Sequence, residues 1–558
     1  RILQINMPRM LHMSRFTSNR TTTMHSSFCR RTLSSVLPAT DAFPAPEPVR
    51  DWGPVKDYFQ VKTDNRIEYG DYETICSKQQ STDGGRAYTM GAALGTPDGP
   101  ERGALVWLRG RVSSVRAKGN SCFIVIRSDS FYTVQACHFK EPSGDKEQEE
   151  ASKAMLKFVG NIALESIVDV CGVVVPANVK SCTQATVEIQ IRKIYAVSRA
   201  RTVLPFLLED AARSSEEIDA AAHTERPLAG VGQDARLNNR WLDLRVPANN
   251  AIMRIKSAVS TLFREALLAQ GFIEINTPKL IGGESEGGAN AFHADYFGKD
   301  ACLAQSPQLY KQMAIASDLN RVFEIGPVFR AEKSNTRRHL CEFTGLDLEM
   351  AITEHYNEAL EVVHKTFRHI FEGLEARHAK ELAVVRKQYP SEPVAFSDKP
   401  CIVHWQDGMH MLNEAGETID IYADLTGAQE LKLGQLVKDK FQTDFFILDQ
   451  YPANIRPFYT MKSPQNPKFS NSYDIFIRGQ EICSGAQRCH QADILEQQIL
   501  SQGMSLDSLK YYVEAFRSGV PPHAGAGFGL DRVVFLYLGL DNIRKSNMFP
   551  RDPSRLVP

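Results

Sequence analysis

The sequence predicts an α+β protein in which a small β-barrel precedes a large domain built around an antiparallel sheet. Short β-branched segments separated by turn-forming residues occupy positions 104–197, as in a barrel of short strands. After Trp241, apolar residues recur at helical spacing and alternate with strand-like segments, as in a mixed domain. The chain has 558 residues, which is enough for more than one domain of ordinary size.

The N-terminal region has a composition unlike the rest of the chain. Residues 1–40 are rich in arginine, serine and threonine, and no acidic residue precedes Asp41. Organellar transit peptides have this composition, and so do disordered tails and translated sequence upstream of a true start codon. We expect residues 1–50 to be a disordered, transit-like segment, and the proline-rich stretch 41–54 to be a linker into the folded part.

The predicted barrel belongs to a domain that covers residues 51–200. Its expected strands are 104–112, 122–128, 132–139, 166–175 and 185–197. A single helix, 148–161, is expected between the third and the fourth strand. Five strands with one helix at this point are typical of the partly open OB barrel, and a small accessory sandwich is the alternative.

The larger domain is predicted to cover residues 241–558, after a hinge at 201–240 that is rich in alanine, glutamate and arginine. The segment 251–271 has apolar residues at every third or fourth position and ends at a glycine, which predicts a helix. The segment 272–278 alternates like a strand and ends at a proline. A further helix is predicted at 356–374.

Bulk composition narrows the class of protein. Lys and Arg number 65 and Asp and Glu 66, so any nucleic-acid contact must come from local patches rather than from net charge. No run of about 18 apolar residues occurs, so we expect no membrane span. The 11 cysteines form no CxxC pair and no Cys/His cluster with zinc spacing, so we expect no zinc site.

The segment 329–343 predicts a hairpin that presents fixed guanidinium groups. A strand delivers Arg330, and the polar loop after it carries two more arginines. Such groups grip phosphate or carboxylate through paired hydrogen bonds, although arginines on a hairpin are often only a solvated rim. On the returning strand Phe343, Asp347 and Glu349 share one face, which suits the floor of a site for a nucleotide base and a charged substrate.

A second hairpin carries paired carboxylates. If 479–480 form its two-residue turn, Asp474 and Glu481 lie on one side of it. Two carboxylates so placed can hold Mg²⁺ together with substrate phosphates. Ser484 and Arg488 would need a bulge near the intervening glycine to reach the same site, and an ordinary surface hairpin is the alternative reading.

A glycine-rich strand leads into an apolar helix within 521–540. Glycines at 525, 527 and 529 would let the strand run close to a ligand. Arg532 lies at the start of the helix, where free backbone amides favour anions. A strand-to-helix turn of this kind is a weak signal by itself.

Together the three segments resemble motifs 2 and 3 of the class II aminoacyl-tRNA synthetases and the strand pair between them. GFIEINTPKL (271–280) is similar to motif 1, including its proline, Pro278. Stretches similar to the eukaryotic and archaeal aspartyl enzymes are SEGGANAF, AQSPQLYKQM, FRAE, RHLCEFTGLDLEM, EICSGAQR and FPRDPSRLVP. The resemblance implies a six- or seven-stranded antiparallel catalytic sheet, an N-terminal anticodon-binding OB domain and a homodimer.

The same resemblance implies the roles of individual residues. Arg330 is expected to hold the ATP α-phosphate and the aspartate carboxylate, Arg532 the γ-phosphate, and Phe343 the adenine ring; the two arginines are the expected catalytic residues. The other expected ATP-binding residues are Ala331, Glu332, Arg338, His339, Leu340, Glu481, Gly529, Leu530 and Asp531. The expected aspartate-binding residues are Glu286, Gln308, Lys311, Arg330, Asp347, Ser484 and Arg488.

Further residues are implied for the metal and the RNA. Asp474 and Glu481 are expected to bind Mg²⁺, the one cofactor implied beside the substrate ATP. Phe123, Gln135 and Glu188 of the barrel are expected to contact anticodon bases, because an aromatic ring stacks on an unpaired base while an amide and a carboxylate read its edge.

The activity implied is the activation of L-aspartate with ATP and its transfer to the 3′ end of tRNA(Asp). A cationic pair, Lys311 and Arg488, favours a carboxylate. The amide of asparagine would instead place its own N–H donors against the N–H donors of these two residues. Asparaginyl-tRNA synthetase is therefore the less favoured alternative. A catalytically inactive RNA-binding paralogue would be expected to have lost one of Arg330, Arg532 and Glu481, and all three are present.

Two expectations concern the whole protein. The apolar stripe 252–267, followed by a strand ending at Pro278, predicts surface that packs against a twin subunit. The eukaryotic cytosolic character of the folded part predicts a cytoplasmic protein, and residues 1–40 leave a mitochondrial or other organellar form as the alternative.

Overall fold

A computed structural model of the chain describes residues 66–72, 88–140, 144–283 and 291–558. The transit-like segment, the proline-rich linker and Glu286 lie outside the described residues. The barrel and the large domain belong to one compact unit, Arg50–Pro558. No helix in the described part of the chain is both long enough and apolar enough to cross a membrane.

Five strands close into a barrel because alternate side chains point inward, as in Cys122, Ile124 and Ile126. The strands of this domain are β1 (Glu68–Asp71), β2 (Leu105–Lys118), β3 (Ser121–Ser128), β4 (Tyr132–Phe139), β5 (Ile167–Pro176) and β6 (Val187–Ser198). Helix α1 (Lys146–Gly160) lies between β4 and β5, so the predicted strands and helix are confirmed. The barrel is closed, because β5 pairs with both β2 and β6. The short β1, which the sequence did not predict, pairs parallel with β6.

Short helices connect the barrel to the large domain. They are α2 (Leu208–Ala211), α3 (Ser215–Ala221), α4 (Gln233–Asn238) and α5 (Arg240–Asp243). Helix α3 begins with a capping box, in which Ser214 and Glu217 satisfy each other's backbone amides. The segment interpreted as a hinge therefore has local helical structure.

The large domain is built on an eight-stranded sheet, with a small three-stranded sheet beside it. Its strands are β7 (Ile273–Glu274), β8 (Leu280–Ile281), β9 (His293–Tyr296), β10 (Lys299–Leu303), β11 (Arg321–Phe329), β12 (Glu342–Ala351), β13 (Ile402–His404), β14 (Phe445–Asp449), β15 (Ser472–Ile477), β16 (Gln480–Gln487) and β17 (His523–Gly529). The order in the large sheet is β13-β14-β15-β16-β17-β12-β11-β7. The six central strands are antiparallel as predicted, and short edge strands pair parallel at both ends.

The helices of the large domain are α6 (Pro247–Ala269), α7 (Gln308–Ala316), α8 (Asn357–Arg377), α9 (Ala379–Gln388), α10 (Trp405–Glu414), α11 (Gly427–Phe441), α12 (Ala492–Ser501), α13 (Lys510–Arg517) and α14 (Leu530–Tyr537). Helices α6, α8 and α14 pack on one face of the sheet, and α7 lies beside the site on the other face. The main core joins α6, α8 and α14 to the inward-facing side chains of β12, among them Leu346, Leu348 and Met350.

The apolar stripe of α6 belongs to this core, which corrects one expectation. Ile252, Val259 and Phe263 are buried against the chain's own sheet and against α8. They are therefore not surface for a second subunit. The strand predicted at 272–278 is only Ile273–Glu274, and its two residues are exposed.

The barrel contacts the large domain through charged and aromatic groups. The buried carboxylate of Glu165 accepts hydrogen bonds from Arg127 of the barrel at 2.8 Å and from Arg245 of the large domain at 3.0 Å. Phe131, in the turn between β3 and β4, packs against the main core and lies under the guanidinium of Arg254 at 4.7 Å. These contacts fix the barrel on the large domain.

Candidate active site

A cavity lies over the open face of the sheet, where β12, β16 and β17 are neighbours. Strand register places Gly527 beside Asp347 and Gly525 beside Glu349. A Cβ at 527 would lie 2.8 Å from Oδ1 of Asp347, and one at 525 would lie 2.2 Å from Oε2 of Glu349. The glycines were expected to let a ligand approach, but at these two positions they make room for the carboxylates of the next strand.

The β11–β12 hairpin places its arginine and its aromatic ring as the sequence predicts. Arg330 follows β11 and Phe343 lies near the start of β12, with the guanidinium carbon 5.7 Å from the ring centroid. Both residues line the cavity. Nε of Arg330 donates to the carbonyl oxygen of Gln305 at 3.4 Å, which ties the hairpin to the segment before α7.

The loop of this hairpin brings further groups to the cavity wall. Arg338 pairs with Glu430 of α11 at 3.2 Å. Nδ1 of His339 lies 2.6 Å from the hydroxyl of Thr336. Burial lowers the pKa of His339, and the charge of Arg532 lowers it further. The imidazole is therefore neutral in the neutral pH range.

The second hairpin differs from its predicted geometry in two ways. Its two-residue turn is Arg478–Gly479, with φ of 52° and 70°, whereas the predicted turn was 479–480. The bulge lies at Ile482, because Phe476 pairs with Glu481 and Ile475 with Cys483. A bulge shifts the alternation of side chains by one residue. The predicted bulge near Gly485 is therefore wrong in position, although a bulge does exist.

The bulge brings the predicted residues of β16 to one cavity. Glu481, Ser484 and Arg488 all line it. Burial and the nearby charge of Asp474 raise the pKa of Glu481 to about 7, although Arg532 opposes this. Nη1 of Arg532 donates to the carbonyl oxygen of Glu481 at 3.1 Å and lies 3.9 Å from its carboxylate. Helix α14 and β16 are thus joined at the site.

Asp474 is close to this cavity but does not line it. Its carboxylate is buried and lies 2.9 Å from Nη2 of Arg456, a residue that does line the cavity. Burial raises the pKa of Asp474, and the charge of Arg456 opposes that shift. Within the described residues no group of three or more His, Cys, Asp and Glu side chains could hold a metal ion.

Two buried ion pairs lie below the cavity: Asp347 and Arg488 line it, whereas their partners Lys311 and Glu349 do not. Lys311 of α7 lies 3.1 Å from Asp347, and Arg488 donates to both oxygens of Glu349 at 3.0 and 3.3 Å. Burial raises the pKa of Asp347 despite the charge of Lys311. Burial acts in the same sense on Glu349, but the charges of Arg488 and Lys311 outweigh it and hold its pKa below the ordinary value. Lys311 and Arg488 were expected to give the pocket two positive charges. That expectation is wrong, because each of them is neutralised by a carboxylate partner.

The remaining expected residues differ in their placement. Gln308 lines the cavity and donates to Glu349 at 3.4 Å. Glu332, Leu340, Gly529 and Asp531 also line the cavity, whereas Ala331 and Leu530 do not. The carboxylate of Asp531 accepts from Lys256 at 2.6 Å and from Asn547 at 3.0 Å, so it ties α14 to α6 and to the C-terminal segment.

The barrel residues expected to meet RNA share one outer face. Gln135 pairs in register with Glu188 and donates to its carboxylate at 2.8 Å. Phe123 lies on the neighbouring strand, partly exposed, with its ring 5.6 Å from that of Phe139. An aromatic ring beside an amide and a carboxylate is a suitable surface for unpaired bases.

Comparison with known proteins agrees with this architecture. Residues 232–553 match the family of class II tRNA synthetases (D, K and N), and residues 106–197 match the OB-fold nucleic acid binding domain. The cytoplasmic aspartate–tRNA ligase of Homo sapiens is 51% identical over 456 residues, which are 81% of this chain and 88% of that protein. The chain belongs to the aspartyl-tRNA synthetase family. It is an aspartate–tRNA ligase, a class II enzyme with an OB-fold domain that binds tRNA.

Solved structures separate the aspartyl from the asparaginyl members of this class. The aspartyl-tRNA synthetase of Entamoeba histolytica is 43% identical, with a TM-score of 0.79, covering 89% of this chain and 97% of its own. The asparaginyl-tRNA synthetase of Pyrococcus horikoshii with asparaginyl-adenylate is 30% identical, with a TM-score of 0.69, covering 81% and 96%. The asparaginyl alternative is accordingly less well supported for this aspartyl-tRNA synthetase.

Three residues at the candidate site were given no role from the sequence. Arg456 and Tyr459 line the cavity, and Glu430 pairs with the cavity residue Arg338. They come from segments far along the chain from the motifs, and only the fold brings them together. Glu349 was placed on the floor side of its strand, but its pairing with Arg488 was not predicted.

Proposed function

We propose that this ligase selects aspartate through the paired charges at the floor of its cavity. The observation that carries this proposal is the row formed by Lys311, Asp347, Glu349 and Arg488, all of them buried. Glu349 engages Nε and Nη2 of Arg488, which leaves Nη1 for a substrate carboxylate. The amide of asparagine accepts through one oxygen only, carries no charge, and would place its N–H donors beside these cations.

The adenylate-forming step needs alignment rather than a general base. The α-carboxylate of aspartate is ionised at neutral pH and is itself the nucleophile. Arg330 would hold this carboxylate against the α-phosphate, and Phe343 would stack on adenine beside it. Arg532 would neutralise charge on the γ-phosphate, with Arg338 and the neutral His339 along the same wall. Pyrophosphate then leaves, and a ribose hydroxyl at the 3′ end of tRNA attacks the acyl-adenylate.

Asp474 and Glu481 would hold Mg²⁺ in this proposal. Their chemistry fits that ion, because two carboxylates with substrate phosphates are the donors Mg²⁺ prefers. Burial and then the charge of Asp474 raise the pKa of Glu481, so the two carboxylates are close enough to act on one another. The ion would supply positive charge against the phosphates.

The outer face of the barrel would bind the anticodon. Phe123 would stack on one base, and Gln135 and Glu188 would read base edges. The barrel is fixed on the large domain through Glu165, so anticodon contacts could orient the tRNA toward the cavity.

We further propose that the protein works as a homodimer in the cytoplasm. Its human relative is a cytoplasmic aspartate–tRNA ligase. A mitochondrial or other organellar form through residues 1–40 is the competing proposal. Residues 7–50 fused to a fluorescent reporter are expected to give a uniform cytosolic signal, and an organellar signal would reverse the assignment.

Isotope exchange between ATP and pyrophosphate, measured with each of the twenty amino acids, tests the proposed specificity. Only aspartate is expected to support rapid exchange. Comparable exchange with asparagine would show that the paired charges do not select the carboxylate.

A further inference from the structure

Arg456, which the sequence did not single out, lies between Asp474, one of the two proposed metal carboxylates, and the cavity. It comes from the loop between β14 and β15. Its Nη2 lies 2.9 Å from Oδ1 of Asp474, and its Nη1 donates to the hydroxyl of Ser484 at 3.1 Å. Arg456 lines the cavity, whereas Asp474 does not. The guanidinium therefore covers the carboxylate on the cavity side.

This guanidinium is held in place from several directions. Its carbon lies 3.8 Å from the ring centroid of Tyr451, within the range of a cation–π contact. Only 9% of the Arg456 side chain is exposed. The guanidinium is thus held by a carboxylate, a hydroxyl and an aromatic ring, the kind of surroundings that a buried charge requires.

The local charge count follows from these contacts. Asp474 and Glu481 contribute two negative charges when both are ionised. Arg456 against Asp474 and Arg532 near Glu481 contribute two positive charges. The charge of Glu430 also acts on Glu481, but Glu430 is paired with Arg338, so the ionised groups still sum to zero. A divalent cation alone therefore meets no net negative charge, whereas ATP brings several negative charges.

We propose that Arg456 is a positioning residue that prevents Asp474 and Glu481 from binding a divalent cation on their own, so that the cation enters together with ATP. The inference rests on the metal site of the proposed function and adds an order of binding, in which the cation does not bind before ATP. Arg456 acts in two ways, by occupying one oxygen of Asp474 and by cancelling its charge.

Binding of Mn²⁺ to the protein, measured by equilibrium dialysis with the same free Mn²⁺ and ATP on both sides of the membrane, tests the order without measuring activity. The wild-type protein is expected to bind Mn²⁺ weakly alone and much more tightly with ATP. Arg456→Gln and Arg456→Met should each bind Mn²⁺ at least tenfold more tightly without nucleotide. Arg456→Lys, which keeps the charge, should stay near the wild type. Asp474→Asn added to Arg456→Gln should cancel the gain.

The outcomes separate the inference from the site it rests on. Unchanged nucleotide-free affinity in both uncharged variants, with ATP-dependent binding lost in Glu481→Gln, would overturn the role of Arg456 and leave the metal site standing. Full ATP-dependent binding in both Asp474→Asn and Glu481→Gln would overturn the metal site and the inference with it. If Arg456→Gln fails to fold, Arg456→Met provides the uncharged side chain, with a thermal unfolding curve as the check.

Discussion

Single residues at the floor of the site illustrate how a charged pocket is held inside a protein. A buried cation without a partner is far more costly than one that is paired and hydrogen-bonded. Asp347 and Glu349 therefore stabilise Lys311 and Arg488 in the absence of substrate. Selectivity then depends on the donors left over rather than on the net charge of the pocket.

Lys311→Met should remove one of these donors and leave Asp347 buried without its cation. We expect kcat/KM for aspartate-dependent exchange to fall at least a hundredfold, which corresponds to about 3 kcal/mol. The preference for aspartate over asparagine should narrow as well. Lys365→Met, at an exposed position of α8, is the matched control and should retain wild-type exchange. A Lys311 variant with unchanged preference would contradict the assignment.

His523 provides a pH-dependent contribution to stability. It is fully buried at the start of β17, and burial lowers its pKa to about 4 from an ordinary 6.5. The unfolded chain therefore binds more protons between these values. Above pH 6.5 the ring is neutral in both the folded and the unfolded state, so it has no effect on the free energy of unfolding. That free energy falls as pH decreases from 6.5 toward 4, because only the unfolded state takes up the proton.

Urea unfolding at pH 6.5 and pH 5 measures this contribution. Between pH 6.5 and pH 5 the free energy of unfolding of the wild-type protein should fall by about 1–2 kcal/mol more than that of His523→Gln. The reason is that a difference of one proton between the unfolded and folded states changes this free energy by about 1.4 kcal/mol per pH unit. His410→Gln, at an exposed position of α10, should follow the wild type. Equal losses in the wild type and in His523→Gln would contradict the buried neutral ring.

At the scale of elements, local periodicity predicts which face a strand presents but not how strands are matched. The shared face predicted for Phe343, Asp347 and Glu349 is confirmed, because the alternate residues Leu346 and Leu348 point into the main core on the other side of β12. The turn and bulge of the next hairpin were misplaced, because Arg478 adopts a positive φ and the sheet absorbs an extra residue at Ile482. Neither feature has a local sequence signal as strong as Asn-Gly.

Prediction from the sequence was also limited by interactions between residues that are far apart along the chain. Arg488 and Glu349 are 139 residues apart, so no local pattern pairs them. The resemblance to known synthetases named Arg488 as a substrate residue, but its carboxylate partner follows only from the meeting of β12, β16 and β17. The motif residues could thus be predicted, and the charge balance around them could not.

The barrel is an element with its own core, so its outer face can be altered separately. Phe123→Ala is expected to weaken binding of tRNA(Asp) by about 1–3 kcal/mol, the contribution of one stacked base. Exchange between ATP and pyrophosphate without tRNA should be unchanged, because the ring does not line the cavity. Met90→Ala, at another exposed apolar position of the barrel domain, is the control. A Phe123 variant with impaired exchange and normal tRNA affinity would contradict this placement.

At the scale of the whole molecule, the proposed homodimer needs surface other than the one first expected, because the stripe of α6 is used in the chain's own core. Apolar side chains do remain exposed around the motif 1 segment, namely Leu268, Ile273 and Leu280, each about half exposed. Apolar groups gathered in one region of sequence suit a self-complementary interface.

The wild-type protein should sediment as a dimer at micromolar concentration. Ile273→Glu with Leu280→Glu should sediment as a monomer, since two charges on each copy would be buried unpaired at the interface. Tyr511→Glu, on the exposed side of α13, should remain a dimer. A wild-type monomer with full activity, or a double variant that still dimerises, would rule out this surface.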